Sequence, residues 1–235
     1  MYRMQTALVT GASRGFGRAL ARDLAQRGWK LIIDARGAAS LEEVRASLAT
    51  LTEVVAVAGD VTDPAHRRRL AEEVDRAGRR LDLLVNNASG LGPSPMPPLA
   101  AFPVDELESL YRVNAIAPLA LTQLLLPALD AAVGAVVNVS SDAAVEAYEG
   151  WGGYGSSKAA LDQLTAVLGA EHPSLRVYAF DPGDMRTEMH QLAFPGADIS
   201  DRPEPETVVP ALQRLLAERP PSGRYRASDL LAAAS

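Results

Sequence analysis

The sequence predicts an α/β fold in which a parallel sheet is doubly wound, with helices on both faces. Three observations lead there. Short aliphatic or β-branched runs of strand length alternate with longer stretches of helical apolar spacing along the whole chain. The first such run passes directly into a glycine-rich turn, Thr10-Gly11-Ala12-Ser13-Arg14-Gly15-Phe16-Gly17, that opens a helix. Polar and turn-forming residues stand at the carboxyl ends of the later strands, where open α/β sheets bind ligands. Crossovers between parallel strands are right-handed, and the expected strand order is 3-2-1-4-5-6-7.

A chain of 235 residues fits one domain of this kind, expected over residues 1–235. Its 48% hydrophobic and 22% charged residues are ordinary for a globular protein. With no cysteine there is neither disulfide nor thiolate chemistry. His66, His172 and His190 are too scattered for metal-ligand spacing, so no metal is expected. A net charge of −6 argues against nonspecific nucleic-acid binding. The opening MYRMQTALVTG has no signal-peptide apolar region, and no apolar run is read as approaching the ~20 residues that cross a bilayer. The expectation is a soluble cytoplasmic protein without a membrane partner.

In chain order, 6–10 reads as a buried strand and 15–27 as a helix with Phe16, Leu20 and Leu24 on its apolar face. Gly11, Gly15 and Gly17 between them allow a tight turn and close backbone approach to a pyrophosphate at a helix N-terminus. The second strand, 30–35, carries Asp34, a candidate for the acid that binds a ribose 2′-OH about 20 residues past such a turn. A helix over 41–51 and a strand over 53–58 follow, ending in Gly59-Asp60-Val61. Asp63 before Pro64 caps the next helix, which leaves Asp60 free. Arg67-Arg68-Arg69 and Glu72-Glu73 on that helix read as a solvated face. The strand 81–87 closes with Asn86-Asn87-Ala88-Ser89. The loop 90–98 has no periodicity and is either a rim of a substrate pocket or a rigid connection.

From 104 to about 132 the pattern is helical, with Pro118 implying a kink. Asn114, a poor interior helix residue, lies just before it, placed to cap freed backbone groups. The strand 135–140 ends in Ser140-Ser141, a polar Gly-rich loop follows, and a helix begins near Tyr154. Tyr154 and Lys158 are four apart and share a helix face. Ser141 stands thirteen residues before Tyr154, at a strand's carboxyl end. A phenol beside an ammonium, with a hydroxyl facing both, is a proton-transfer site in outline. The strand 175–180 runs into Asp181-Pro182-Gly183-Asp184-Met185-Arg186-Thr187. The Pro- and Gly-rich connector 188–206 is long enough for a lid, expected at about 185–205. A helix over 207–217 and a short edge strand over 223–227 complete the reading.

Five of these motifs, TGxxxGxG, Asn-Asn-Ala, the helical Asn114, YxxxK and Pro182-Gly183, occur in an order that resembles the short-chain dehydrogenase/reductase family over essentially the whole chain. The resemblance implies a Rossmann-like fold and an NADP(H)- or NAD(H)-dependent oxidoreductase interconverting a carbonyl and an alcohol. It places Gly11, Ser13, Arg14, Gly15, Phe16 and Gly17 against the cofactor, Asp60 and Val61 at the adenine, and Asn87, Ala88 and Ser89 along a ribose. The family normally has glycine where Ser89 stands, so room there is slightly reduced. Pro182, Gly183, Met185 and Thr187 would face the nicotinamide. The family's acidic position at the end of the second strand is Ala35, with Arg36 after it. Arg14 and Arg36 can grip a 2′-phosphate that a carboxylate would repel, which favours NADP over NAD.

Catalysis would fall to Asn114, Ser141, Tyr154 and Lys158. Tyr154 is the general acid or base, with its pKa lowered by Lys158, which also holds the nicotinamide ribose. Ser141 stabilises the developing alkoxide, and Ser140 lies one residue off the family spacing. Asn114 holds a water of the proton relay. A cofactor-sensing regulator or a structural subunit of the same fold are the other classes open to such a chain. The helices after Val104 and Tyr154 pair across a two-fold axis in the family, implying a homodimer or homotetramer. Three segments, 90–98, 142–153 and 185–201, carry Leu91, Met96, Val145, Tyr148, Trp151, Met185, Met189, Leu192 and Phe194. Arg186 is their one arginine or lysine, so the expected small-molecule substrate is apolar or aromatic.

Overall fold

A computed structural model describes residues 4–232; the first and last three residues of the expected domain lie outside the described residues. Its strands are β1 (Thr6–Val9), β2 (Lys30–Ala35), β3 (Val54–Ala58), β4 (Leu83–Asn86), β5 (Ala135–Val139), β6 (Arg176–Asp181) and β7 (Gly223–Arg226). They form one sheet in the order β3-β2-β1-β4-β5-β6-β7, and every neighbouring pair is parallel. This is the order the sequence predicts. The sheet reverses direction of growth between β1 and β4, and the gap above that switch point receives the ligand in such folds.

Strand side chains alternate between the two faces, and the sequence separates them into two cores. Ala7, Val9, Leu31, Ile33, Leu83, Val85, Val137, Tyr178 and Phe180 face α1 (Gly15–Gln26), α2 (Ala38–Leu48) and α8 (Pro205–Glu218). Leu8, Ile32, Leu84, Val136 and Val177 face the other way, toward α3 (Pro64–Arg76), α5 (Ala117–Ala132) and α6 (Gly152–Glu171). Strands buried on both faces read as continuous apolar runs, which is why they were legible.

Most boundaries agree with the sequence to within two residues; five findings depart from it. The second helix spans Ala38–Leu48, three residues earlier at each end than the expected 41–51, because its first turn (Ala38, Ala39, Ser40) is exposed and gives no apolar signal. The expected helix over 104–132 is α4 (Val104–Tyr111), a π-helical turn (Arg112–Ile116) and α5, so the interruption centres on Asn114 rather than on Pro118. The connector after 187 is partly α7 (Glu188–Ala193), capped by the Thr187 hydroxyl. A short α9 (Ala227–Ala232) follows the edge strand directly. The stretch Val104–Ala132 is also long and apolar enough to cross a membrane by length and composition, contrary to the sequence reading. Here it lies along the sheet, packed on α3 and α6.

Candidate active site

The glycine turn is built by contact rather than by flexibility alone. Gly11 has φ +65°, and a Cβ there would lie 2.9 Å from the Ala88 backbone. A Cβ on Gly17 would lie 2.4 Å from Asn87 Nδ2 and 2.5 Å from the Gly11 carbonyl. Only glycine lets α1 approach β4 this closely. Thr10 completes the joint: its hydroxyl donates to the Val85 carbonyl and accepts from the Asn87 and Ala88 N–H groups. Gly17 and Asn87 thus shape the turn, and Gly17 is walled off from the cleft. At the start of α1 there is no side-chain cap and no acidic residue in the first turn, so its amides remain available to an anion.

Above the carboxyl ends of the strands lies a cleft of about 1010 Å³. It is lined by Gly11, Ser13, Arg14, Gly15 and Phe16, and by Arg36, Asp60, Val61, Asn87, Ala88 and Ser89. Ser140, Ser141, Tyr154, Lys158, Pro182, Gly183, Met185 and Thr187 complete the set, so of the predicted site residues only Gly17 and Asn114 are off its wall.

Asp34 is buried, its Oδ2 2.6 Å from His66 Nε2. Burial pushes its carboxyl up, against the pull of His66 and of the Gly11 N–H. The acid that looked placed for a ribose is therefore committed beneath the glycine turn. Two readings of the sequence are corrected here. The third helix does not present a wholly solvated face, since His66 and Arg67 are buried and Arg67 donates to the Val61 carbonyl. Nor is Asp60 free: Asp63 caps α3 as expected, but Asp60 accepts the Thr62 N–H and hydroxyl, both at 2.8 Å. Burial raises the Asp60 carboxyl, yet Thr62 and the nearby Arg36 guanidinium outweigh it and hold the group below its ordinary value. Arg14 reaches across the cleft mouth to pair with Glu188 of α7.

Tyr154 and Lys158 lie in the first turns of α6, both buried. Lys158 Nζ donates to the Val139 carbonyl at 2.7 Å and sits 5.6 Å from the centre of the Tyr154 ring. Burial draws the ammonium down to about 8, against the support of Asp162. Burial also pushes the Tyr154 phenol well above its ordinary range, with hydrogen bonds to Ser141 and Ser89 opposing. The sequence reading had Lys158 lowering the phenol; at this separation, with the ammonium turned to a carbonyl, burial wins. Ser141 Oγ lies 2.9 Å from Asp142 Oδ1, and the other Asp142 oxygen takes the Tyr148 hydroxyl at 3.0 Å.

The side chain of Asn114 is saturated. Its amide donates to the Gly90 carbonyl and to Ser157, and its oxygen accepts from Ser89 and the Gly90 N–H, each at 2.9 Å. That is every hydrogen bond a carboxamide can make. Asn114 therefore ties the loop after β4 to α6. Pro118, which has no N–H, denies the Asn114 carbonyl its usual helical donor.

The three segments proposed for the substrate wall do converge. Leu91, Ala143, Tyr154 and Ala193 form a buried cluster with Met96, Trp151 and Met189 against it. The Trp151 ring packs against Tyr154, Phe194 and Tyr148 at 5.8, 6.0 and 6.4 Å. Five of the expected side chains stay outside the cluster: Val145, Tyr148, Leu192 and Phe194 are 55%, 46%, 45% and 42% exposed, Tyr148 and Phe194 meeting it at the Trp151 ring, and Met185 packs on the sheet core beside α8. Arg186 is taken up by Glu204. Asp142 and Asp184 are also among the residues that line the cleft, and Asp184 lies within ion-pair range of His190 and Arg202.

Among the described residues no cluster of His, Cys, Asp or Glu is arranged to hold a metal. A sheet of this topology, with a glycine turn at one side of the cleft and a buried Tyr–Lys pair at the other, defines a dinucleotide-binding oxidoreductase. The family model described as "short chain dehydrogenase" matches residues 5–197, and the chain belongs to that family. It is 38% identical to sepiapterin reductase of Mus musculus over 200 residues, 79% of this chain and 76% of that one. Benzil reductase ((S)-benzoin forming) of Saccharomyces cerevisiae is 33% identical over 233 residues, 95% of this chain and 84% of that one. A short chain dehydrogenase from Escherichia coli, solved in complex with NADPH, superposes with a TM-score of 0.87 at 29% identity, covering 95% of this chain and 96% of that one.

The sequence alone did not single out His66, Ser157, Asp162 or Arg224, all now seen around the site. Ser157 had a signal, lying between Tyr154 and Lys158 on a helix whose face was already assigned. Asp162 had one too, standing one helical turn beyond Lys158; His66 and Arg224 are joined to the site by contacts across 32 to 83 residues, which no local pattern marks.

Proposed function

We propose that this chain is an NADP(H)-dependent reductase or dehydrogenase interconverting a ketone or aldehyde and its alcohol, with Tyr154 as general acid or base. The observation that carries the proposal is the buried Tyr154 phenol on the cleft wall, with Ser141 lining the same cleft and Lys158 Nζ 5.6 Å from the centre of its ring. The residues fit a phosphorylated dinucleotide on three counts: the uncapped α1 terminus, the glycine cradle, and two guanidiniums with the competing acid Asp34 locked to His66. Arg14 and Arg36 would hold the 2′-phosphate, and Asp60 and Val61 the adenine. Ser13, Gly15 and Phe16 would line the pyrophosphate; Ala88 and Ser89 the ribose; Pro182, Gly183, Met185 and Thr187 the nicotinamide. The NADPH-bound relative supports that cofactor choice.

The bound cofactor supplies or accepts the hydride. Tyr154 gives its proton to the carbonyl oxygen in reduction and takes one back in oxidation. A phenol held protonated by burial suits the donor role. Ser141 donates to the same oxygen and lowers the cost of developing negative charge. Lys158 holds the ribose hydroxyls and keeps positive charge near the phenol. Asn114 serves the proton relay through its backbone carbonyl, because its side chain has no free position.

Trp151, Leu91 and Met189 form an apolar wall that would desolvate a carboxylate or phosphate, and Asp142, which lines the same cleft, would repel one. The substrate proposed is an apolar or aromatic carbonyl compound, a class consistent with the relative named for benzil. Residues 185–205 act as its lid, and the protein works in the cytoplasm. The test is NADPH oxidation against a carbonyl panel in parallel with NADH. Turnover absent with every carbonyl and alcohol, while NADPH still binds, would replace this reading by a cofactor-sensing one.

A further inference from the structure

Arg224 on the edge strand β7 touches three segments that the proposed function uses, although it lines no part of the cleft. Its Nη2 donates to the Ser141 carbonyl at 2.9 Å and to Asp181 Oδ2 at 2.8 Å. Its Nε donates to Asp162 Oδ2 at 3.0 Å. Asp181 in turn accepts the Gly183 N–H on Oδ1 at 3.0 Å, which fixes the Pro182-Gly183 turn. Asp162 stands one helical turn beyond Lys158 on α6, and its charge supports that ammonium. One guanidinium thus joins the end of β5, the end of β6 and the helix that carries Tyr154 and Lys158.

The chemistry of the side chain matters to this arrangement. Asp162 and Asp181 are largely enclosed, with 15% and 5% of their side chains exposed. Arginine offers a rigid planar fork that can serve two carboxylates and a carbonyl together; a lysine ammonium brings the charge without that geometry. Displacing reacting groups by about 1 Å can cost on the order of a hundredfold in rate.

We propose that Arg224 is a positioning residue: it holds Ser141, the Asp181–Gly183 turn and Asp162 in register, and so sets Tyr154, Lys158 and the nicotinamide face at reacting distance. The proposal rests on the carbonyl-reductase reading. The test compares the native chain with Arg224→Lys and Arg224→Gln in three measurements: kcat and KM for a carbonyl the native chain reduces, NADPH affinity, and the fluorescence of bound NADPH. In Arg224→Lys, kcat should fall about tenfold or more, while the NADPH dissociation constant stays within about threefold because the glycine turn and adenosine side are untouched. Emission from the bound nicotinamide should change in both variants, and Arg224→Gln should be the more impaired.

A kcat per folded molecule within twofold of native in Arg224→Lys would overturn the proposal and leave Arg224 as an anchor for β7. So would loss of the fold in both variants, read by circular dichroism and thermal unfolding. If the native chain reduces no carbonyl, the functional reading fails separately. Nicotinamide emission then decides the role of Arg224: altered at unchanged affinity supports it, unaltered overturns it.

Discussion

Tyr154 and Lys158 depart from their ordinary ionisation in opposite directions for one reason. Burial penalises whichever form is charged, so the phenol is pushed up and the ammonium down to about 8. Because kcat/KM reports groups on the free enzyme, kcat/KM for NADPH should decline above pH about 8 as Lys158 discharges. Asp162→Asn removes a carboxylate that supports the ammonium, so the same limb should appear at lower pH. A limb that stays in place in this variant would separate it from Lys158. Stability follows the same shift. Between about 8 and the ordinary lysine value of 10.5 the unfolded chain binds more protons at Lys158, so this group's contribution to stability rises with pH across that window. Tyr154→Phe loses one oxygen from a packed ring. Turnover should fall at least about a hundredfold with NADPH affinity nearly unchanged, and a variant retaining most of its kcat would remove Tyr154 as proton donor. Arg36→Asp should reverse a preference for NADPH over NADH, since a carboxylate beside Asp60 repels the 2′-phosphate. Equal affinity of the native chain for the two cofactors would detach Arg36 from that phosphate.

At the scale of elements, what could be read in advance was what local chemistry dictates. Strands such as Leu83–Asn86 and Ala135–Val139 are buried throughout, so their composition alone marks them, and the residues at their ends mark the cleft. Hidden features depend on distant partners. Asp34 looks like a cofactor acid until β2 and α3 stack and bring His66 onto it. Arg224 looks like any edge-strand cation until β7 pairs with β6. Helix α7 was missed because six residues are too few for a periodic signal. This helix carries Glu188, paired with Arg14, and Met189 on the cleft wall, so its position depends on both halves of the cleft. Cofactor that draws Arg14 to its phosphate and substrate that covers Met189 should together change how 185–201 is held. Limited proteolysis within that segment should slow when NADPH and a carbonyl substrate or inhibitor are both present. Cleavage indifferent to ligand would leave it a fixed wall rather than a lid.

At the scale of the whole molecule, the helices on one side of the sheet keep apolar residues exposed on their outer faces. Val104, Ile116 and Leu124 on α4, the π-helical turn and α5 are 73%, 54% and 44% exposed, and Val167 on α6 is 42% exposed. Of these elements, α6 packs on both α4 and the π-helical turn, from which α5 runs on. Exposed apolar residues gathered on adjacent helices mark an association surface more often than scattered ones do. A symmetric pairing of the same helices would cover them in two copies at once and fix the α6 face behind Tyr154 and Lys158. The expected state is therefore a homodimer or homotetramer at micromolar concentration, measured as mass by light scattering. The double substitution Leu124→Arg and Val167→Arg places a charge on each of two such helices while leaving the cleft alone. It should lower the mass to one chain with NADPH binding retained, because two arginines facing their own copies across a two-fold axis repel and lose water. A native chain that is already monomeric would end this proposal. A variant that keeps its mass would move the interface away from α5 and α6.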